Sequence, residues 1–363
     1  MSAHPAPPPP PSSSGLPSPS RGAPEGRIAV VVNGNAKSVT SDVIATLDQI
    51  LAGGDLFVSR HLSEVDDIAR TLVDRGYGTV LTGGGDGTFT VVVSAVVREA
   101  DRRKAARPRF GLLRLGTGNS LAWVVGASPA KRGGRGLAAD IQRLRDDAGS
   151  RPMRFIEVEG YVAPFCGFGV DAVVLRDYGR TKDFLSRGPL RRFAPGALSY
   201  AISSITQSIP SYVLRPVPHC RVINLGADAY RIGERGAKLG APVRAGEVIY
   251  EGRARLVAAG SIPYYGFGFR MFPYADDRPD RMHLRIAVVT SLEFVANFPA
   301  IWRGEYENLE TVFDYLVEDV RIEMDPETPF HIGGDALGAR REVTLRLQNE
   351  PLELVDFYAP PRG

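Results

Sequence analysis

The 363-residue chain has two cysteines, Cys166 and Cys220. Two thiols make no disulfide framework, and without a CxxC pair a structural zinc or a thioredoxin-type site is excluded. No apolar run approaches the ~18 residues of a membrane span. The longest, Phe89 to Val97, is interrupted by Thr90 and Ser94. Net charge is +3, so no face-wide attraction to nucleic acid is expected and no nucleic-acid partner is inferred. No GxxxxGK[ST] occurs, which excludes a Walker-type nucleotide site.

What is abundant is glycine and proline, 40 and 28 residues. Nine of the 28 prolines precede Arg27, with the Pro7–Pro11 run followed by three serines. Residues 1–26 have nothing to bury and no apolar signal core, so they are expected to be a disordered, partly polyproline tail.

From Arg27 the pattern alternates strand and helix. Ile28–Val32, Asp55–Ser59, Thr79–Thr82 and Phe110–Leu115 read as buried strands. Ile44, Leu47, Ile50 and Leu51 share a helical face, as do Val65, Ile68, Ala69, Leu72 and Val73. Ser63 is the expected cap of the second helix, with Asp66 completing a box. Repeated βα units predict a doubly wound α/β domain over residues 27–150, with ligands at the carboxyl ends of its strands.

After Ser150 strands dominate. Arg154–Val162, Pro164–Val174, Val217–Leu225, Val248–Ala259, Met282–Val289, Val320–Met324 and Glu342–Leu354 are predicted strands. Leu198–Ser208 and Leu292–Arg303 are predicted helices. A mostly antiparallel β-sandwich domain over residues 151–357 follows, its last strand free to pack back on the first domain.

The sharpest motif is Gly83-Gly84-Gly85-Asp86-Gly87-Thr88, directly after a predicted strand. Its glycines admit close backbone approach, and successive amides at a helix start form an anion nest. Asp86 suits a carboxylate beside Mg²⁺ or a transferring phosphate. Phe89 to Val93 has strand propensity, yet a helix is expected, because a phosphate loop needs one after it. Leu115-Gly116-Thr117-Gly118-Asn119-Ser120 repeats the strand–loop–helix arrangement, and Asn33-Gly34-Asn35 ends the first strand. Three small-polar loops on one rim predict a nucleotide-phosphate site. Gly167 to Ala172 fits GxGxxA but is read as strand glycines. The adjacent His219 and Cys220 point to opposite strand faces and make no metal pair. Trp123 and Trp302 read as packing residues. His331 stands close enough in sequence to Asp335 to approach the same cleft.

These residues resemble the diacylglycerol kinase catalytic family, which also holds sphingosine and ceramide kinases and, more distantly, NAD kinase. Gly84 to Thr88 matches its GGDGT loop and Leu115 to Asn119 its LGTGN segment. Asn33-Gly34 stands at its Asn-Pro. Gly167 to Ala172, Gly196, Ser199, Tyr200 and Pro273-Tyr274-Ala275 are supporting matches. The resemblance implies an ATP- and Mg²⁺-dependent kinase with the cleft between its domains. The γ-phosphoryl would pass to diacylglycerol or a related lipid alcohol.

By position, Gly84, Gly85, Gly87 and Thr88 would hold phosphates. Asn33, Gly116, Thr117, Gly118 and Asn119 would line the nucleotide side. Asp86 would serve the metal or the reacting oxygens. Asp277 and Asp280, with the carbonyl of Met282, resemble a bacterial Mg²⁺ turn, although Arg281 replaces its glycine. Relatives also imply a homodimer, a cytoplasmic protein and peripheral contact with the inner membrane face.

Two departures are visible. The late D-G-E motif reads Gly333-Gly334-Asp335, leaving Asp335 as the catalytic carboxylate, and Ser120 replaces an aspartate. They keep a catalytically weak lipid- or nucleotide-binding homologue as the alternative. NAD kinase is disfavoured, because Asn349-Glu350 is the chain's only Asn-Glu pair and comes far too late. Arg176 to Arg192 carries six basic residues against Asp177 and Asp183, net +4, with Phe184, Leu185, Leu190 and Phe193 interleaved. That composition suits docking on an anionic leaflet.

Overall fold

A computed structural model describes residues 27–36, 38–51, 55–116, 119–129, 135–146, 148–169, 216–266 and 268–358. Thr117, Gly118, the Arg176–Arg192 stretch, the predicted helix 198–208, and Gly196, Ser199 and Tyr200 lie outside the described residues.

Five parallel strands and one antiparallel strand build the first sheet. In chain order β1 is Ile28–Asn33, β2 Leu56–Ser59, β3 Thr79–Gly84, β4 Arg109–Arg114, β5 Ser150–Met153 and β18 Leu352–Val355. Their order across the sheet is β2-β1-β3-β4-β18-β5. β1 pairs in parallel with β2 and β3, β3 with β4, and β4 with β18. β5 closes the edge antiparallel to β18. The last strand of the chain is therefore part of the first sheet.

The β-branched and aliphatic residues of β1 and β3 are buried on both faces, because helices cover both sides. Those helices are α1 (Ser41–Leu51), α2 (Leu62–Asp74), α3 (Asp86–Arg103), α4 (Ser120–Val125) and α5 (Arg135–Arg145). α3 forms despite its Phe89-Thr90-Val91-Val92-Val93 run. Phe89, Val92, Val93 and Val96 are all buried, and tertiary packing outweighs a propensity difference of a few tenths of a kcal/mol per residue. α2 begins two residues earlier than Ser63 as a cap predicts. His61 is its N-cap, and the Glu64 carboxylate accepts the amides of Arg60 (2.7 Å) and His61 (3.2 Å). The box carboxylate is thus Glu64, not Asp66.

The second domain is a 12-stranded sheet. β6 (Ile156–Val158), β7 (Tyr161–Ala163), β8 (Phe165–Gly169), β9 (His219–Asn224), β10 (Ala229–Ile232) and β11 (Lys238–Val243) come first. β12 (Val248–Arg253), β13 (Leu256–Gly260), β14 (Met282–Ala287), β15 (Val312–Val317), β16 (Asp319–Ile332) and β17 (Asp335–Leu347) follow. The 14-residue β16 is the branch point: β17 runs along one side, while β9 and β8 share the other. The β9–β12 arm lies across the β14–β15 arm, with the Tyr315 hydroxyl donating to the Ile249 carbonyl at 3.2 Å. The sheet folds over its own core in this way.

Several predicted strands are shorter or divided. Arg154–Val162 breaks at a turn where Glu159 and Gly160 have positive φ, and Val248–Ala259 breaks after Arg253. The Leu292–Arg303 helix is two short helices, α6 (Ser291–Ala296) and α7 (Phe298–Arg303), separated at Asn297. α5, β10, β11 and β15 were not predicted. Gly167 and Gly169 lie in β8, as read. His219 is exposed and Cys220 buried, so their side chains do occupy opposite faces.

The two domains meet along α3. The Val162 amide of β7 donates to Ser94 Oγ of α3 at 2.8 Å, and Phe89 packs on Phe155 with ring centroids 5.5 Å apart. This seam sets the β16–β17 turn against the start of α3.

Candidate active site

The carboxyl ends of β1, β3 and β4 lie on one edge of the first sheet, because these strands are parallel and adjacent. Each ends in a small-polar loop, and the loops are tied to one another. Asn33 Nδ2 donates to Thr88 Oγ1 at 3.3 Å, joining the β1 loop to the start of α3. Asn33 Oδ1 accepts the Asn35 amide at 2.9 Å, which fixes the tight turn. Gly116 lies against Gly85: a Cβ on Gly116 would stand 2.2 Å from Gly85 Cα. Only a residue without a side chain admits that backbone-to-backbone approach. Asn119, buried with φ +49°, closes its own loop by accepting the Gly116 amide at 3.1 Å.

Asp86 has a place that its motif alone does not show. Its Oδ2 accepts the Ser120 amide at 2.8 Å and its Oδ1 the Leu121 amide at 3.1 Å. Both oxygens therefore satisfy the otherwise unpaired first amides of α4. Burial pushes its pKa up, while the two amide bonds act in the opposite sense. Besides the role at the metal or the reacting oxygens expected of it, Asp86 joins the first phosphate loop to the second.

Asp335 comes from the other domain, at the first position of β17. Its carboxylate lies directly over Gly87, where a Cβ would stand 2.2 Å from Oδ2. Burial pushes its pKa up, the nearby Asp86 charge adds to that, and His331 opposes it. It is a solvent-accessible carboxylate of raised pKa at the rim of a phosphate-type loop, suited to accepting a proton. Gly333 has φ +57°, and a Cβ there would stand 2.2 Å from Thr90 Oγ1. The turn thus has neither the backbone nor the space for an ordinary side chain at 333.

The Asp277–Met282 turn does not assemble as expected. Asp280 takes two hydrogen bonds from Arg278, at 2.9 and 2.6 Å, and one from Arg281 at 2.9 Å. The Arg278 contact holds its pKa below the ordinary carboxylate range. Asp277 lines an open pocket with Arg270, Tyr274 and Glu307, and burial raises its pKa. Met282 is a fully buried β14 residue. Guanidinium groups fill the role a cation would have, which is the physical consequence of Arg281 replacing a turn glycine. Among the described residues no cluster of three His, Cys, Asp or Glu side chains could hold a metal.

Trp302 stacks on Phe269 at 5.3 Å, a packing role as read, while Trp123 carries the Arg114 guanidinium 5.1 Å from its ring. Sequence reasoning missed Tyr265, whose hydroxyl is 2.7 Å from His331 Nε2, and Thr90 under Gly333. It also missed the buried ion pair of Arg285 and Asp314, at 2.8 Å, with His283 Nε2 donating to the same carboxylate at 2.9 Å. Arg285 stands opposite Asp314 on neighbouring strands, a cross-strand pair invisible before β15 is placed.

Residues 27–145 match the family described as the diacylglycerol kinase catalytic domain. The chain is 29% identical over 123 residues to the "Probable lipid kinase YegS-like" protein of Enterobacter sp. (strain 638). That alignment covers 31% of this chain and 40% of the relative, about two-fifths of its length. A crystal structure of a diacylglycerol kinase from Bacillus anthracis Sterne is 14% identical, with a TM-score of 0.55 over 91% of this chain and 97% of that one. A second Bacillus anthracis Sterne structure gives 0.60 with the same identity and coverage. At this identity the likeness is one of fold, and it extends through both domains. No helix among the described residues is long and apolar enough to cross a membrane. The chain thus carries, over residues 27–145, a match to the diacylglycerol kinase catalytic domain, within the overall fold of the Bacillus anthracis diacylglycerol kinase structures.

Proposed function

We propose that this protein is a lipid kinase that moves the γ-phosphoryl group of ATP to the hydroxyl of diacylglycerol or a related long-chain lipid alcohol. The observation that carries the reading is the position of Asp335 over Gly87, on the rim where the three loops converge. Amides of the Gly84–Thr88 loop would face the phosphates, with Gly116 and Asn119 beside them on the same rim. The lipid hydroxyl enters from the second domain and attacks Pγ as the bond to the β-phosphate oxygen breaks. Its proton passes to Asp335, and ADP leaves. The protein's work is positioning and charge neutralisation.

Mg²⁺ does not fit a protein-built cage here. Asp86 is committed to two amides and Asp280 to two guanidinium groups. In this reading Mg²⁺ would enter with ATP rather than on a preformed protein cage, and would supply charge neutralisation at the phosphates.

A second reading has its own support. Gly333 removes one carboxylate from the late motif and α4 occupies Asp86, so a nucleotide- or lipid-binding homologue with weak transfer also agrees with these residues. Incubation with labelled ATP, Mg²⁺ and a panel of diacylglycerol, sphingosine, ceramide and NAD separates the two. Label in a lipid supports the kinase. ATP binding without label supports the binding protein, and label in NAD alone overturns both.

The membrane contact is proposed through Arg176 to Arg192, with its net +4 charge. Each such residue near an anionic leaflet contributes ~1 kcal/mol. Co-sedimentation with vesicles should rise with anionic lipid, and an unchanged bound fraction would remove this part of the proposal.

A further inference from the structure

We propose that Arg60 is a nucleotide-binding residue, its guanidinium the protein's own cation for the inner phosphates of ATP. The inference rests on the nucleotide reading of the cleft above and adds a residue that lies outside all three loops.

The starting point is a charge deficit. The three loops, Asn33–Asn35, Gly83–Thr88 and Leu115–Ser120, contain no lysine or arginine. Their amides supply partial charges, while a bound triphosphate brings several full negative ones, of which Mg²⁺ entering with ATP neutralises a part. A protein cation must come from a neighbouring position on the same sheet edge. Among the described residues at the carboxyl ends of β1 to β4, two carry a guanidinium. Arg114 closes β4, but its guanidinium lies over the Trp123 ring of α4, 5.1 Å from the centroid. Arg60 directly follows β2.

Arg60 is fixed to the rim by its backbone and its stem. β2 is parallel to β1 and Ser59 stands beside Asn33, so the two strands end at one level. The Gly34 amide donates to the Ser59 carbonyl at 2.8 Å, and Asn35 Nδ2 donates to the Arg60 carbonyl at 2.6 Å. The Arg60 stem then lies along Gly34: a Cβ on Gly34 would stand 3.0 Å from Arg60 Cγ and 3.3 Å from Nε. Asn33, the preceding residue, reaches Thr88 of the β3 loop. Arg60, Gly34, Asn33 and Thr88 thus form one continuous rim. The Arg60 side chain is exposed. Glu64 accepts the Arg60 amide at 2.7 Å and lies within Coulombic reach, yet no carboxylate of a described residue pairs with the guanidinium. A planar guanidinium of this kind suits two parallel hydrogen bonds to phosphate oxygens. β1 separates Arg60 from the β3 loop, where Asp335 stands over Gly87. Arg60 therefore serves the phosphates that stay on the nucleotide, not the group that is transferred.

The test uses the full chain and two readouts. Calorimetry of ADP binding needs no phosphoryl transfer. In Arg60→Gln the Kd for ADP should rise about tenfold, the loss of a charge-assisted contact. Its dependence on salt should become shallower, because one full charge has left the site. Gly34→Ala pushes the Arg60 stem aside. It should weaken ADP by about threefold in wild type and add nothing in Arg60→Gln. The second readout is transfer kinetics. The KM for ATP should rise about tenfold in Arg60→Gln with kcat held within about threefold, because the contact is alike in ground and transition states. Unchanged ADP affinity in Arg60→Gln overturns the proposal. A loss with unchanged salt dependence also overturns it, since Arg60 would then stack on the base. Weaker ADP binding in Arg114→Gln but not in Arg60→Gln gives the role to Arg114 instead. If Arg60→Gln weakens ADP as expected but wild type labels no lipid, Arg60 keeps its role and the kinase reading fails. If wild type labels lipid while Arg60→Gln keeps its ADP affinity, the kinase reading stands and this proposal is wrong.

Discussion

Asp335 Oδ2 occupies the place where a side chain on Gly87 would begin, 2.2 Å from the Cβ position. Two residues from different domains and 248 positions apart thus determine each other's identity. Gly87→Ala must push the Asp335 carboxylate off the loop. The expected outcome is a loss of kcat of about 100-fold, the size of effect that a misplacement of about 1 Å produces. Circular dichroism should remain that of the wild type. A variant with wild-type kcat would separate Asp335 from the chemistry.

Asp86 is predicted to matter for stability as much as for turnover. Asp86→Ala leaves the buried Ser120 and Leu121 amides without their acceptor, which costs about 1–3 kcal/mol. Denaturant unfolding should show that loss, and calorimetry should show weaker ATP binding because the second loop loosens. Asp86→Asn keeps an acceptor oxygen and should lose less. Unchanged stability in Asp86→Ala would place the carboxylate free in the cleft.

Restoring the missing carboxylate at 333 is predicted to fail. Gly333→Asp must adopt φ +57° and displace Thr90 Oγ1 from 2.2 Å. Backbone strain of this kind costs about 1–3 kcal/mol. Thermal melting should fall and kcat should not rise. A more active Gly333→Asp protein would show that the turn is more adaptable than its geometry.

The pH dependence of stability has two opposing parts. The Arg285 and His283 contacts hold the Asp314 pKa below the ordinary carboxylate range. That stabilisation is present above the unfolded carboxylate pKa and is lost as pH falls through the folded one. Asp335 is raised by burial, so it stabilises below the unfolded pKa and loses this contribution as pH rises through the folded value. Asp335→Asn should therefore raise the melting temperature at neutral pH while removing transfer. Asp314→Asn should lower stability by about 3–5 kcal/mol, because it leaves Arg285 buried and unpaired. Melting curves from pH 3 to 8 would check both signs.

Much of this was legible in the sequence for a simple reason. A parallel strand followed by a glycine loop and a helix is a local pattern, and Ile28–Val32, Thr79–Thr82 and the two loops carry it complete. The helix after Asp86 was readable only from the needs of the loop, since Phe89 to Val93 argues locally for a strand. What stayed hidden depends on partners far away in the chain. That Asp86 also holds the start of α4 shows only once α4 is brought to it. Asp280 looks like a ligand until Arg278 and Arg281 turn onto it. His331 gains its setting from Tyr265, 66 residues earlier, with no motif to signal the pair.

The central claim is transfer of phosphate to a lipid with Asp335 as proton acceptor. Single-turnover transfer from γ-labelled ATP to diacylglycerol in mixed micelles, wild type beside Asp335→Asn, tests it most directly. The account predicts labelled lipid with wild type, and a rate at least about 100-fold lower with Asp335→Asn at unchanged ATP affinity. Equal rates from the two proteins, or label in NAD and in no lipid, would contradict it.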